Sequence, residues 1–431
     1  MARVRILSST QALFVGPAPS SGGHFLTSDG ALTNVDFFTV IDDEVVLSAG
    51  VTNAIKQING VIDLSYGIES NRTDIKELGR KSNVNRSHLD HPEISLDFSY
   101  YGLDVKNEIR LGFNVNFPTG IDRSPFYDNN LGVPLISGFT SRSTSAAYPG
   151  YSAWPYSDRD RRNFFVSIAQ EGTDALDNPA FLTSHVIGFG DCHIKSYSVL
   201  FQVDQTVRHD LRYSAENIVF YLSGSGQIPA ANPINLQPVN SNQFLIPKFK
   251  DQVIGKDIMR GSDASLHIVA TGYGDSPEDS KDLGFNLAEL KIQSAKIELN
   301  FERQDLKGLG YKNSVDRFVK NPTLANLSIE AIVGEDQEGR LRDLLINDHD
   351  YNLSLQLSTP PTCGDRVQET VASYDFLRAR FNSIQYTNAL NEGKLVSMTF
   401  TTELTDDVTG RGFYISGRVF RTGETFSGFN F

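Results

Sequence analysis

Apolar and polar residues alternate along much of this chain. Ile62, Leu64, Tyr66 and Ile68 are interleaved with Asp63, Ser65, Gly67 and Glu69, and Ile94, Leu96, Phe98 and Tyr100 with Ser95, Asp97 and Ser99. A two-residue period is that of a half-buried strand, whose successive side chains point to opposite faces. The pattern returns over 194–203 and 207–215, and again where Ala295, Ile297, Leu299 and Phe301 alternate with Lys296, Glu298, Asn300 and Glu302. A last alternating segment holds Phe413, Ile415 and Val419. Between the first two patterned stretches, Asn71 to Gly79 offers a polar cap, an acidic first turn and a glycine stop, which predicts a short helix. The chain reads as mainly β.

The pattern is also written twice. Arg72, Asp74, Leu78, Gly79, Val84 and Arg86 reappear 231 positions later as Arg303, Asp305, Leu309, Gly310, Val315 and Arg317. A second block recurs at a spacing of 187: Ser167 matches Ser354, Ser196 matches Ser383, and Leu211, Tyr213 and Glu216 match Met398, Phe400 and Glu403. Two tandem copies of one β-sandwich or barrel domain, each with a short flanking helix, are expected. The difference between the spacings requires an insertion of 44 residues in copy one. The expected layout is an N-terminal arm (1–33), copy one (34–222, insertion about 105–162), a linker (223–249), copy two (250–409) and a C-terminal strand or arm (410–431). The linker is placed where Gly, Pro and Asn oppose both helix and sheet. A length of 431 residues and 39% hydrophobic content allow two ordinary cores.

Charge narrows the function classes. With 39 basic against 52 acidic residues the net charge is −13, which argues against a surface that grips nucleic acid by neutralising phosphates. Cys192 and Cys363 fall at non-equivalent places in the two copies, so no disulfide framework was duplicated and a reducing compartment is expected. No run approaches the roughly 18 apolar residues of a membrane span, and the first residues, MARVRILSST, lack the apolar segment of a secretion signal. The expectation is a soluble chain that does not insert into membranes.

Candidate chemistry is thin. Asp191-Cys192-His193 sets a thiol beside an imidazole, but neighbours on a strand point to opposite faces and cannot form a dyad. His88 and His91 have a short metal spacing, yet Pro92 follows and the equivalent 318–321 holds no histidine, so a turn before a strand explains them. Asp348-His349-Asp350 and the acidic run 335–343 lack a calcium loop's spacing. Gly188-Phe189-Gly190 lacks a dinucleotide fingerprint's third glycine. The sequons at Asn71, Asn85, Asn326 and Asn352 have meaning only in a secreted chain. No catalytic residue, cofactor or metal site is expected, and no enzyme. The charged residues kept in both copies, Arg72, Asp74 and Arg86 with Arg303, Asp305 and Arg317, fit either helix caps with local ion pairs or a seam between neighbouring domains.

A sheet wetted on one side, repeated in one chain, presents open edges that pairing with further copies in a closed ring would hide. The segments RILSSTQALFVGPAP, SYGIESNRTDIKELG, NRSHLDHPEISLDFSYYG and IGFGDCHIKSYSV, in that order and with the duplication, resemble the duplicated-domain tail tube (major tail) proteins of long-tailed, siphovirus-type bacteriophages. The likeness covers most of 1–222 and, more weakly, 285–405. It implies trimeric, pseudo-hexameric rings stacked into a hollow tail tube that encloses a tape-measure protein and conducts genomic DNA without specific binding. It further implies tail terminator and baseplate or tail-tip proteins as partners, and a virion protein made in the host bacterial cytoplasm. An acidic wall repels phosphates, which nominates Asp63, Glu69, Asp97, Glu298 and Glu302 as lumen-lining residues. The rival is a surface-binding β protein, carbohydrate-binding or adhesive, using Tyr148, Tyr151, Trp154 and Tyr156 of the insertion to stack on sugars.

Overall fold

The computed structural model describes residues 11–17, 38–47, 56–116, 162–169, 183–222, 227–229, 243–245, 258–271, 291–309, 316–332, 350–358, 370–387, 395–404 and 412–417, with short gaps in some stretches. The expected insertion beyond 116, including Tyr148, Tyr151, Trp154 and Tyr156, lies outside them, as do His91, Cys363 and 335–343. In chain order the strands begin with β1 (Gln11–Pro17), β2 (Phe38–Ile41), β3 (Glu44–Leu47), β4 (Lys56–Gln57), β5 (Val61–Glu69), β6 (Arg72–Ile75), β7 (Asn85–His88) and β8 (Glu93–Tyr101). A six-residue helix, α1 (Lys106–Leu111), precedes β9 (Val115–Asn116). Then come β10 (Arg162–Ala169), β11 (Thr183–Gln202), β12 (Arg208–Ala215), β13 (Asn217–Leu222), β14 (Gln227–Pro229) and β15 (Gln243–Leu245). The rest are β16 (Ala264–Thr271), β17 (Lys291–Asn300), β18 (Arg303–Leu306), β19 (Asp316–Val319), β20 (Thr323–Ile332), β21 (Asp350–Ser358), β22 (Thr370–Thr387), β23 (Leu395–Leu404) and β24 (Gly412–Gly417). The protein is mainly β.

Sixteen strands hydrogen-bond into one sheet, and four two-stranded ribbons (β2–β3, β6–β7, β14–β15, β18–β19) stand apart from it. The long strand β11 organises the first half. Its first part carries β10 on one edge and β13 on the other, with β1 and then β4 beyond β10. Its second part carries β12, then β8, then β5. A register shift between Ile194 and Ser196 separates the parts, the irregularity that lets one strand turn from one layer to the next.

The second half is wired in the same way. β22 carries β21 and β24 on its first part, with β16 beyond β21, and β23, β20 and β17 follow its second part. Register recurs pair by pair: Tyr66 faces Leu96 as Ile297 faces Leu327, Asp97 faces Arg212 as Ser328 faces Thr399, and Ser196 faces Arg212 as Ser383 faces Thr399. The bulges recur too, at Val61/Asp63 and Ile292/Ser294, and at Ile194/Ser196 and Phe381/Ser383. The β10–β11 pairing departs from this rule, since Ile168 faces His185 whereas Leu355 faces Tyr374.

Rings close the core between layers. Phe164 of β10 lies 5.6 Å from Phe98 of β8 and 4.7 Å, edge to face, from Tyr213 of β12. Phe201 of β11 meets Tyr374 of β22 at 5.8 Å, so the buried residues of both halves form one continuous cluster rather than the two separate cores the length suggested.

Four further stretches depart from expectation. The helix foreseen over 71–79 is absent: Arg72–Ile75 is strand β6, paired with β7, and Arg303–Leu306 pairs with β19 likewise. A lone helical turn fixes many dihedrals for few hydrogen bonds, whereas the ribbon pairs four residues on each side at once. The glycine meant to stop a helix sits at φ +92° in the turn that follows β6. The supposed arm contributes β1, whose Leu13, Phe14 and Val15 are buried against β10. The expected linker includes a ribbon, β14–β15, and the first residues assigned to the insertion are core: Val105, Leu111 and Phe113 are buried, and β9 pairs in parallel with β24 of the other half.

Candidate assembly interface

The two halves meet strand to strand. Beyond Ile194, the edge of β11 that carried β10 takes up β17, with Ser196 opposite Asn300, Tyr197 opposite Leu299, Val199 opposite Ile297 and Gln202 opposite Ser294. Tyr197, Val199 and Phe201 and, across from them, Ala295, Ile297 and Leu299 are buried at this seam. The chain leaving β17 tightens it: Phe301 N–H donates to Lys195 O at 2.8 Å, and Arg303 Nε donates to Ile194 O at 3.1 Å.

An ion cluster locks the same seam from the β18–β19 ribbon. Arg317 Nη2 stands 2.7 Å from Glu216 Oε1 of the first half, its Nη1 donates to Ser214 Oγ at 3.4 Å, and its Nε lies 2.9 Å from Asp305 Oδ1. Arg317 and Glu216 are largely buried, with side chains 14% and 6% exposed. Removing one partner of a buried pair strands the other charge, at a cost of about 3 kcal/mol. Among the retained charged residues, Arg303, Asp305 and Arg317 therefore come together at the junction of the halves, on a ribbon and not on a helix cap. Arg72, Asp74 and Arg86 occupy the equivalent ribbon β6–β7, and Asp74 is exposed.

At the outer ends of the sheet the same two edges stand without a strand. Among the described residues β5, the counterpart of β17, pairs only with β8, and β22, the counterpart of β11, has no strand on its β21-side edge beyond Arg380. The apolar side chains there are exposed: Tyr66 42%, Ile68 51% and Tyr386 37%. Their counterparts at the occupied seam, Ile297, Leu299 and Val199, are at 0%. The ribbons carry further apolar residues in matched places, since Ile75 and Leu306 are about half exposed and Leu78 and Leu309 fully exposed.

The residues nominated for a lumen lie on or beside one polar face that crosses β5, β8, β12, β11, β17, β20, β23 and β22. One row runs Asp63, Ser99, Asp210, Ser198, Glu298, Asn326, Thr401, and another Ser65, Asp97, Arg212, Ser196, Asn300. Glu69 ends the β5 edge, and Glu302, just past β17, pairs with Lys320 at 3.5 Å. The face is not purely acidic. Arg208 contacts Asp210 at 2.7 Å and Asp63 at 3.2 Å, Arg212 contacts Asp97 at 3.0 Å, Lys296 is paired with Glu298, and Lys195 with Glu93. Each of these cations is thus matched by a carboxylate on the face. Such exposed pairs contribute less than about 1 kcal/mol each to stability, but they leave little positive charge to offer a phosphate.

Of the chemistry-bearing motifs, Asp191-Cys192-His193 and Gly188-Phe189-Gly190 lie on β11. Cys192 is a buried thiol on β11 outside any disulfide, and the next residue, His193, faces Ser214 of β12. Among the described residues no group of three or more His, Cys, Asp or Glu could hold a metal ion, and no helix is long and apolar enough to cross a membrane.

One polar cluster escaped the sequence reading. Glu108 of α1 is fully buried, and its Oε1 accepts from Tyr100 Oη at 2.9 Å and lies 3.4 Å from Tyr197 Oη and 3.2 Å from His209 Nδ1. Burial pushes the Glu108 carboxyl up to about 7 and holds His209 down to about 3, because neither charge is solvated there. Below about pH 7 the arrangement is a neutral hydrogen-bonded knot between α1 and the strands. It touches the second half through Tyr374, whose ring lies 6.3 Å from His209. Glu216 and Arg317 were each visible in the repeat, as the matches of Glu403 and Arg86, but their pairing was not.

No protein-family model matches the chain, and no curated protein does. A solved structure described as "Crystal structure of Hcp protein" is similar over 52% of this chain and 97% of its own, at 7% identity and a TM-score of 0.16, a likeness too slight to carry an argument.

Proposed function

We propose that the chain is two tandem copies of one tail-tube-type domain and serves as a structural, non-enzymatic virion protein of a bacteriophage tail. Three copies close into a pseudo-hexameric ring, and rings stack into the hollow tube. The observation that carries this reading is the pair of edges on β5 and β22 that no strand occupies among the described residues, which match the two edges joined inside the chain at β11 and β17. An exposed, partly apolar edge invites pairing, and cyclic closure removes it without leaving a growing end. Stacking fits the exposed Ile75, Leu78, Leu306 and Leu309 on the two ribbons.

In this reading the polar face of the eight-strand run is the wall of the bore, with Asp63, Glu69, Asp97, Glu298 and Glu302 along or beside it. Its matched charges suit a passage through which a tape-measure protein and then DNA must move without being held. Tail terminator and tail-tip proteins would cap the stack, in a virion assembled in the bacterial cytoplasm. Electron microscopy of the purified protein, alone and at rising concentration, tests the reading. Rings or tubes with an open centre are expected; a lone compact particle under every condition, as a surface-binding β protein would give, refutes it.

A further inference from the structure

Registers within the halves recur at offsets of 231 for β5–β8 against β17–β20 and of 187 for β11–β12 against β22–β23, bulges included. Applying the same offsets to the β11–β17 pairing, in which Tyr197 faces Leu299 and Val199 faces Ile297, gives a register for two strands that, among the described residues, have no partner strand on those edges. Resting on the tube reading above, we infer that β22 of one copy pairs antiparallel with β5 of the next. Ser383 then faces Glu69, Ile384 faces Ile68, Gln385 faces Gly67, Tyr386 faces Tyr66 and Thr387 faces Ser65.

The occupant is a second copy of this chain. The contact is heterologous, one edge of each kind per copy, so it propagates in a single direction and closes only as a ring. It covers Tyr66, Ile68 and Tyr386, the large exposed apolar residues of the two edges, as Ile297, Leu299 and Val199 are covered at the inner seam.

The ion cluster transfers by the same offsets. Arg317 with Glu216 and Ser214 becomes Arg86 of the incoming copy with Glu403 and Thr401 of the first, and Arg303 on the Ile194 carbonyl becomes Arg72 on the Phe381 carbonyl. Glu403 is exposed in the single chain, whereas Glu216, its counterpart, is buried under Arg317. The β6–β7 ribbon is thus the clasp that one copy lays across its neighbour. Arg86 and Glu403 are its charged pair.

Two sets of variants of the full chain test this. In the first, Arg86→Glu and Glu403→Arg are made singly and together, and assembly is followed by sedimentation and microscopy, with thermal melts to show that each monomer is folded. Each single reversal is expected to raise the concentration needed for assembly about tenfold or more, and the double reversal to restore it. In the second, paired cysteines are placed at Tyr66 and Tyr386, and separately at Ser65 and Thr387. Opposed pairs alternate between wide and narrow spacing in an antiparallel ladder, so one of the two sets must lie within disulfide reach. Oxidation is expected to give covalent multimers that end at a closed ring, while Ser65 with Ser383, four residues out of register, gives none. Rings that form normally in the reversed single variants, or cross-link only out of register, overturn this interface and leave the tube reading standing. A wild-type chain that never assembles overturns both.

Discussion

Replacing Glu108 by Gln separates burial from charge at the point where α1, both layers and the second half converge. The carboxyl titrates at about 7 in the folded chain against an ordinary value of 4.5, burial being the dominant cause and the Tyr100 and Tyr197 hydroxyls opposing it. A raised acid binds its proton more tightly folded than unfolded. Its contribution to stability is therefore whole below pH 4.5 and is lost as pH rises through about 7. At 1.36 kcal/mol per pH unit, the loss is on the order of 3 kcal/mol. His209 works in the other direction: held at about 3 instead of 6.5, it favours the fold above pH 6.5 and withdraws that support as pH falls toward 3. The two sites lie 3.2 Å apart and titrate as a pair, which places the pair's best contribution near pH 4.5 to 6.5. A glutamine keeps an acceptor for Tyr100 and offers His209 Nδ1 a donor, but has no proton to lose. Urea denaturation of both proteins from pH 4.5 to 8.5 is the assay. The variant is expected to gain on the wild type by about 3 kcal/mol across that range, with the advantage at the alkaline end. Parallel stability profiles would refute the neutral knot, and a wild type that gains on the variant as pH rises would show a buried ion pair with His209 instead.

Other substitutions probe the remaining joints. Arg317→Ala leaves Glu216 buried without its cation and is expected to destabilise the monomer by about 3 kcal/mol in urea melts, while Arg317→Ala in a Glu216→Ala background costs much less than the two singles added. Gly261→Ala places a Cβ 2.0 Å from the carbonyl oxygen of Gln202, so the turn beside the end of β11 must move; a loss of about 1 to 3 kcal/mol is expected by thermal melting. Leu78→Ser with Leu309→Ser is expected to leave single rings intact in micrographs while shortening or abolishing tubes. Asp97→Lys with Glu298→Lys converts the polar face to a basic one; salt-sensitive binding of duplex DNA, absent from the wild type, is expected by fluorescence anisotropy.

The strands were legible wherever polar and apolar residues alternated, because burial on one face alone imposes that period. β5, β8, β12 and β17 fall on the stretches that the pattern marked. The repeat spacings did more than mark strands, since they also match the registers of separate strand pairs. What failed was local and polar. The stretch from Arg72 has the composition of a capped helical turn, but its backbone is satisfied by β7, a partner that composition does not name. β1 was missed because seven residues of mixed character carry little periodic signal, though four of them are buried. The Glu108 knot had no local trace: Tyr197, 89 residues away, and His209 become its neighbours only when the layers close. Arg317 was singled out because the repeat kept it, yet only the fold could show that its carboxylate, Glu216, lies in the other half.

A chain with two similarly wired halves could have been two beads on a tether, and such a chain would say little about a ring. This one is not tethered. β11 and β17 share hydrogen bonds, Phe201 packs on Tyr374, and β9, from the segment that follows β8, pairs with β24 of the second half. The rotation that carries one half onto the other is consequently set by packing, as is the place where the next half must attach. If β22 meets β5 as β11 meets β17, the same rotation is applied at every joint around the assembly. A ring of three chains then closes without strain only when the rotation between halves is one sixth of a turn, with little rise along the axis. A substantial rise would produce a helix of chains in place of a stack of rings, so the pitch seen in micrographs of assembled protein measures the inner seam directly.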